Sequence, residues 1–514
     1  MIHPAASDPV LLPTPKKAQF KEGRIPMDSP VIVIPVDEKA IRYGAKLFNE
    51  TMKTLSGREA IIASGLRKPG QPTIVVAVDP SLKNIPPEGS RIRMTRDDVG
   101  GWNILLEARD DRGVLYALLT LRQLLVKEND RLFLVEAEID DHPSFAIRDF
   151  NRDGFNAMPD APALAEWAAV AKANVVGISH FWPWRKVPDD YWKDVREVGA
   201  FARESGAVDM MFYCNPYTDH HKERQINLLD QADLNLFLAH IRTALDLGAT
   251  KVMVCVDDYT VWDRFTPEER KTFKDLPHAQ AFLMNHLYRE IRKDYPSVEW
   301  YFCPAGPKGG YAGVPTKGSE QARTLEVLAA EIPEDVAIVW TGPVVRSRKI
   351  TAAEIDAWSR AAGGRKPFLW DNTIYAHYQP LFVETFLNPF RNDFPADMAQ
   401  RMNRGIHING AAGTERIKLS LLTAGDYLWN PERYDPGKSL ATAMRIAAGE
   451  AAVPLLERFR EEALAAIRAS KKKGADAEAL AAKAVKTLDD LDGVTSNRNL
   501  TEELRTFLSK QTKR

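Results

Sequence analysis

Short apolar or aromatic runs recur from residue 145 onward, with helix-sized segments between them. Eight such runs are readable, at 145–150, 174–180, 209–214, 251–256, 298–303, 336–340, 367–370 and 405–409. Their near-continuous hydrophobicity predicts strands covered on both faces, and segments such as 161–172, 234–247 and 279–292 place apolar residues at helix spacing. Eight strand–helix units over about 280 residues match a (β/α)8 TIM barrel in size. A doubly wound open sheet would alternate in the same way.

Ahead of these runs, 31–34, 73–78, 91–94 and 102–106 read as strands, and 40–55 and 113–125 as helices. They predict a small α/β domain over 1–140, with the turn at Pro143 marking its border with a barrel over 141–430. The remainder, 431–514, is rich in Ala, Leu, Glu and Lys and predicts a helical domain, with helices at 441–452, 455–467, 476–491 and 501–508. Pro454 should break the chain between the first two, and the Ser-Lys-Lys-Lys-Gly stretch at 470–474 reads as a solvated turn. The Ala-rich faces of these helices suit either packing on the barrel or a homodimer.

Composition narrows the class. The 514 residues are 45% hydrophobic and 27% charged, the balance of a globular chain. Lys+Arg 69 against Asp+Glu 70 leaves a net charge of -1, so no global field draws the protein to nucleic acid or anionic lipid. No apolar run approaches the roughly 18–20 residues that span a bilayer. The N-terminus lacks a basic segment followed by a hydrophobic one. A removed export signal would leave the same picture, so the compartment stays open between exported and cytoplasmic. Cys214, Cys255 and Cys303 each lie in an apolar run, which predicts buried free thiols. No Cys/His spacing resembles a zinc site, and no cofactor is implied.

In such barrels the reactive groups lie at the carboxyl ends of the strands, where the variable loops converge. Those ends hold Asp149, Asn151 and Asp153; His180, Trp182 and Trp184; Asn215, Tyr217 and Asp219; Asp257, Asp258 and Tyr259; Trp340 to Pro343; Trp370, Asp371 and Asn372; and Asn409. Polar and aromatic groups together suit a sugar, whose hydroxyls take hydrogen bonds while its C–H faces stack on rings. The sharpest feature is Asp257-Asp258. Neighbouring residues on a regular strand point to opposite faces, so both serve one site only where the chain leaves strand geometry. Two close carboxylates in a partly desolvated rim do not both ionise easily, which gives one acid and one base. Asp-Asp pairs also cap turns, and spacing alone leaves that structural role open. His220-His221 with Asp219 and Asp257 invites a metal reading, but Lys222-Glu223-Arg224 beside them suggests an exposed loop.

At these residues the sequence resembles glycoside hydrolase family 84, the O-GlcNAcase and bacterial β-N-acetylglucosaminidase group. The likeness rests on Asp110 to Leu121, Val254-Cys255-Val256-Asp257-Asp258, Phe302-Cys303-Pro304, Val339 to Pro343, Trp370-Asp371-Asn372 and Tyr427 to Glu432, in order along most of the chain. It implies a retaining hydrolase of terminal β-linked N-acetylhexosamine, GlcNAc foremost, in which the sugar's own acetamido oxygen attacks the anomeric carbon to form an oxazoline. Such enzymes depart from the scheme with a carboxylate nucleophile. The resemblance gives Asp257 the acetamido N–H, Asp258 the acid/base role, Asn372 and Asn409 contacts to the sugar, and Trp370 a wall of the acetamido pocket. The substrate implied is a carbohydrate or a glycoprotein.

This chain also departs from that pattern. Asn151 to Asn156 stands where the family has Glu-Gly-Phe-Tyr-Gly, Ser179 to Trp184 where it has Tyr-Ala-Pro-Lys-Asp-Asp, and Pro307 where a tyrosine is expected, with Tyr311 nearby. His377 replaces the carboxylate that grips the sugar's outer hydroxyls. These changes imply an altered glycone or aglycone preference, such as GalNAc, a substituted GlcNAc or a larger glycan. A catalytically weak glycan-binding protein on the same scaffold is the reading from another class.

Overall fold

The computed structural model describes residues 9–35, 38–65, 70–98, 100–152, 158–180, 189–216, 226–257, 262–306, 312–374, 388–390, 393–474 and 476–512. Eight strands form the first sheet: β1 Lys17–Pro26, β2 Val31–Val33, β3 Ile61–Ala63, β4 Thr73–Val78, β5 Ser90–Arg96, β6 Trp102–Ala108, β7 Leu125–Glu128 and β8 Arg131–Asp141. Their order is β1-β8-β5-β6-β4-β2-β3, with β7 added on β8. The sequence reading found β2, β4, β5 and β6. It missed β1, whose run Lys-Ala-Gln-Phe-Lys-Glu-Gly-Arg-Ile-Pro is too polar to stand out, and β8, whose inward Leu132, Leu134, Ala137 and Ile139 slip phase once at a buried Val135.

Helices Lys39–Ser56 and Asp111–Leu121 lie between this sheet and the barrel. Each is apolar on two sides. Ile41, Ala45, Phe48, Val114 and Leu118 join the sheet's core, while Ala40, Leu47, Leu115, Tyr116 and Leu119 join the barrel's. The second helix starts at Asp110, whose side chain accepts from the Gly113 N–H at 2.8 Å as an N-cap. It ends sooner than its periodicity predicts, because Leu125 pairs with Leu134 as β7.

The next eight strands, β9 Ile147–Arg152, β10 Val175–His180, β11 Asp209–Cys214, β12 Ala249–Cys255, β13 Glu299–Cys303, β14 Ala337–Trp340, β15 Phe368–Asp371 and β16 Gly405–Asn409, pair in parallel and close β16 onto β9. Closure excludes the open doubly wound sheet. The eight predicted runs coincide with these strands, except that β9 lies two residues later than expected. Phe145 belongs instead to the outer core, against Tyr427. Ile147, Val175, Met211, Met253, Tyr301, Ala337 and Phe368 fill the lumen, so the barrel is packed along its axis and open chemistry is confined to its ends.

At the lower, N-terminal end the first domain docks through charge. Arg148, fully buried, donates to Glu88 at 2.6 Å, to the Tyr116 hydroxyl at 3.1 Å and to the carbonyls of Lys172 and Phe145 at 2.7 Å each. Arg112 bridges Glu88 and Asp209; Lys251 joins Asp209 to Glu299; Arg404 continues from Glu299. Burial pushes the Glu88 and Asp209 carboxyls up. Arg148 and Arg112 outweigh it at Glu88, and Arg112 and Lys251 at Asp209, so both groups sit below their ordinary values. Nearby, Lys172 donates to Thr120 at 2.8 Å, pairs with Asp141 and lies 4.3 Å from the Trp429 ring.

Helix Glu415–Trp429 closes the barrel and is almost wholly buried. Helices Pro436–Ala448, Val453–Lys471, Ala477–Asp492 and Arg498–Thr512 follow. Pro454 occupies the first turn of its helix, after a break at 449–452, and 472–474 form the turn expected there. These helices share the barrel's core through Leu488, Leu491, Leu500 and Leu504. Glu503 also accepts from the Glu415 and Arg416 backbone N–H groups, satisfying donors at the start of that barrel helix. Among the described residues no helix is long and apolar enough to cross a membrane.

Candidate active site

At the upper end the inward strand positions turn polar. On β9 these positions are Ile147, Asp149 and Asn151; on β16 they are His407 and Asn409. Asp149 and His407 Nδ1 share a hydrogen bond of 2.5 Å, and neither side chain is exposed. The Trp370 ring lies over His407 at 4.6 Å and meets Tyr213 edge-on at 5.2 Å, sealing this pair beneath the mouth.

One layer higher, amides link three strands. Asn151 Nδ2 donates to Asn409 Oδ1 at 2.9 Å, Asn409 Nδ2 donates to Asn372 Oδ1 at 2.9 Å, and Trp370 Nε1 donates to the same oxygen at 2.9 Å. Asn372 Nδ2 is held in turn by the Val345 carbonyl at 2.8 Å. The amides are thus oriented before any ligand arrives, and fixed polar groups bind with less ordering cost. A glycine makes room for them. A Cβ at Gly177 would stand 2.5 Å from Asn151 Oδ1, so a side chain there would displace the first amide of the row.

Across the lumen, β12 delivers Asp257. It is 8% exposed, and its carboxylate lies within 4.8 Å of the Cys255 and Cys303 sulfurs, on the luminal side with Met253 and Cys255. Burial pushes the Cys255 thiol well up, with Cys303 beside it acting the same way. Asn215, at the end of β11, is also buried. Asp371 accepts from the Thr373 N–H at 2.8 Å and hydroxyl at 2.5 Å, bracing the turn after Asn372. Arg346 donates to the Thr373 carbonyl at 3.1 Å; burial and neighbouring Arg348 bring its pKa down to about 10 against the pull of Asp371. Asp258, Tyr259, Trp182 and His377 lie outside the described residues, as do Asp153, Trp184, Tyr217, Asp219, His220 and His221.

The structure therefore brings together Trp370, Asn372 and Asn409, with Asp257 projecting into the same lumen, and places Asp149 lower, against His407. The sequence reading listed Asn151 without giving it a role and passed over His407. Both were findable: a histidine inside Gly-Ile-His-Ile-Asn shares the inward phase of Asn409 two residues on.

A sequence profile described as beta-N-acetylglucosaminidase matches residues 179–461. The chain belongs to this family. The match takes in most of the barrel, Asp257, Asn372 and Asn409 included, and it bears out the resemblance to family 84. A second profile, glycosyl hydrolase family 20 domain 2, matches residues 8–149, the sheet with its two helices. Protein O-GlcNAcases of Rattus norvegicus and Mus musculus are each 26% identical over 123 residues, 24% of this chain and 12% of theirs. The matched segment thus spans about an eighth of those relatives. Among solved structures, CpGH84B superposes with a TM-score of 0.70 at 19% identity, covering 98% of this chain and 90% of that one. CpGH84D gives 0.68 at 14%, over 99% and 88%. An O-GlcNAc hydrolase variant of Thermobaculum terrenum gives 0.55 at 17%, over 72% and 82%. At these identities the structures establish the fold, with its leading α/β domain and trailing helices. The matched stretch is thus a glycoside hydrolase domain of the N-acetylglucosaminidase type.

Proposed function

We propose that the upper mouth removes terminal β-linked N-acetylhexosamine, GlcNAc foremost, with retention and through an oxazoline formed by the substrate's own acetamido group. The observation that carries this reading is the inward Asp257 in the same lumen as the pre-oriented row Asn151, Asn409, Asn372 and Trp370. An acetamido group offers one N–H donor and one carbonyl acceptor. Asp257 supplies an acceptor for the N–H, which pushes electron density toward the attacking oxygen. Trp370 supplies an apolar wall, and the amides supply donors and acceptors for ring hydroxyls. Asp258, the next residue, protonates the leaving oxygen and then deprotonates the water that opens the oxazoline.

Substitution in the acetamido group tests the mechanism. Aryl β-N-acetylglucosaminides carrying none to three fluorines on the acetyl methyl should hydrolyse progressively more slowly, because fluorine weakens the carbonyl oxygen as a nucleophile. Rates independent of fluorine would remove the oxazoline.

A second reading keeps the barrel and the acids but changes the glycan. It is favoured by His377 and by the loops after β9 and β10, which depart from the family's residues around the outer hydroxyls. A panel of aryl GlcNAc, aryl GalNAc and glycopeptide substrates separates the two readings by kcat/KM.

A further inference from the structure

We propose that Cys255, Cys303 and Asp257 form a binding site for a thiophilic d10 cation, Zn2+ or Cd2+, at the floor of the mouth. Three observations on neighbouring strands converge. Cys255 and Cys303 are register partners across β12 and β13, so their side chains leave the sheet side by side. Both belong to the luminal cluster. Asp257 follows Cys255 by two residues in the same inward phase, and one carboxylate oxygen and the two sulfurs lie within 4.8 Å of one another.

Two sulfurs and an oxygen are the donor set that borderline-soft cations prefer over Mg2+ or Ca2+. Tetrahedral binding with Zn–S of about 2.3 Å and Zn–O of about 2.0–2.2 Å puts ligand atoms roughly 3.5–3.8 Å apart, so the set closes with about 1 Å of side-chain adjustment. Three protein ligands leave a fourth position for a water or another ligand. Asp257, slightly exposed above two sealed thiols, is where an ion arriving from solvent meets the set first.

The third cysteine supplies an internal control. Cys214 is equally buried, but it faces the outer core and directs its Sγ to the Met253 carbonyl at 3.6 Å. Burial alone therefore does not make this site; the luminal pairing does. This consequence rests on the proposed function, in which Asp257 receives the acetamido N–H: a cation held here occupies that carboxylate, excludes the sugar's acetamido group and inhibits hydrolysis competitively.

Titration of the full-length protein with Cd2+ tests the proposal. A thiolate-to-cadmium charge-transfer absorption should grow to saturation at a single ion per chain. Cys214→Ser should keep the band and Cys255→Ser should abolish it. Asp257→Asn should keep both thiolates but weaken binding by at least the roughly 10–100-fold that loss of an outer-shell partner costs. If Cys255→Ser does not fold, Cys255→Ala reads the same quantity. Against an aryl N-acetylglucosaminide, Cd2+ should inhibit the wild type competitively. No band in the wild type, or an undiminished band in the Cys255 variant, would overturn the site. The band is read without substrate, so its absence and an absence of hydrolysis are separate results.

Discussion

The two ends of the barrel both bury polar side chains and put them to opposite uses. At the lower end, Arg148, Arg112, Lys251 and Arg404 alternate with Glu88, Asp209 and Glu299, and Arg148 finds an acceptor for each of its nitrogens. Among the described residues, these charges satisfy one another. At the upper end neutral amides are aligned on one another, set across from the Asp257 carboxylate, and Asn151 Oδ1 has no hydrogen-bond partner among the described residues. Saturated charge fixes one domain on another; in the proposed function, partly satisfied polarity at the mouth receives the substrate.

The largest effect expected is at the upper end. Asp258→Asn should lower kcat/KM by about 10²–10⁴-fold for substrates with poor leaving groups, and far less for those that depart without a proton. A uniform loss across leaving groups would assign Asp258 another role. Next comes the lower end: Arg148→Met removes the nearest of Glu88's partners, leaving Arg112 and Asn174, and strips the donors from the Lys172 and Phe145 carbonyls; it should cost about 3 kcal/mol, read as a fall in melting temperature. If this variant melts like wild type while losing turnover, the division between the ends is wrong.

Acid should act on the lower end as well. The Glu88 and Asp209 carboxyls lie below their ordinary values of 4.5 and 3.8, so in the folded state they release protons more readily than in the unfolded chain. Their contribution is complete above about pH 4.5 and is lost as pH falls through the lowered values. Melting temperature should therefore drop below that pH, and Glu88→Gln should flatten the drop. The smallest effect expected is Gly177→Ala. Its methyl group displaces Asn151 from the amide row, which at about 0.5–1.5 kcal/mol per hydrogen bond lowers kcat/KM by up to roughly tenfold.

The sequence made the barrel legible because eight apolar runs, each buried on both faces, cannot be polar-patterned. Every run overlaps a strand of the closed sheet. The leading domain was less legible, since β1 is an exposed edge strand with polar residues along most of its length. For the site, Trp370, Asn372, Asn409 and Asp257 could be read because strand ends and inward phase locate them. The Glu88–Arg148 and Asp149–His407 pairs could not, because their partners are 60 and 258 residues apart and only closure of the fold joins them. The same holds for Cys255 and Cys303, which read separately as two buried thiols and become a pair through strand register.

The central claim is that Asp257 belongs to chemistry and not to the scaffold. Turnover of an aryl β-N-acetylglucosaminide by Asp257→Asn, measured alongside its melting temperature, tests this most directly. The account predicts a fall of about 10²-fold or more in kcat/KM with the melting temperature unchanged or higher, since an amide replaces a desolvated carboxylate. Wild-type turnover in a variant that melts earlier would contradict it.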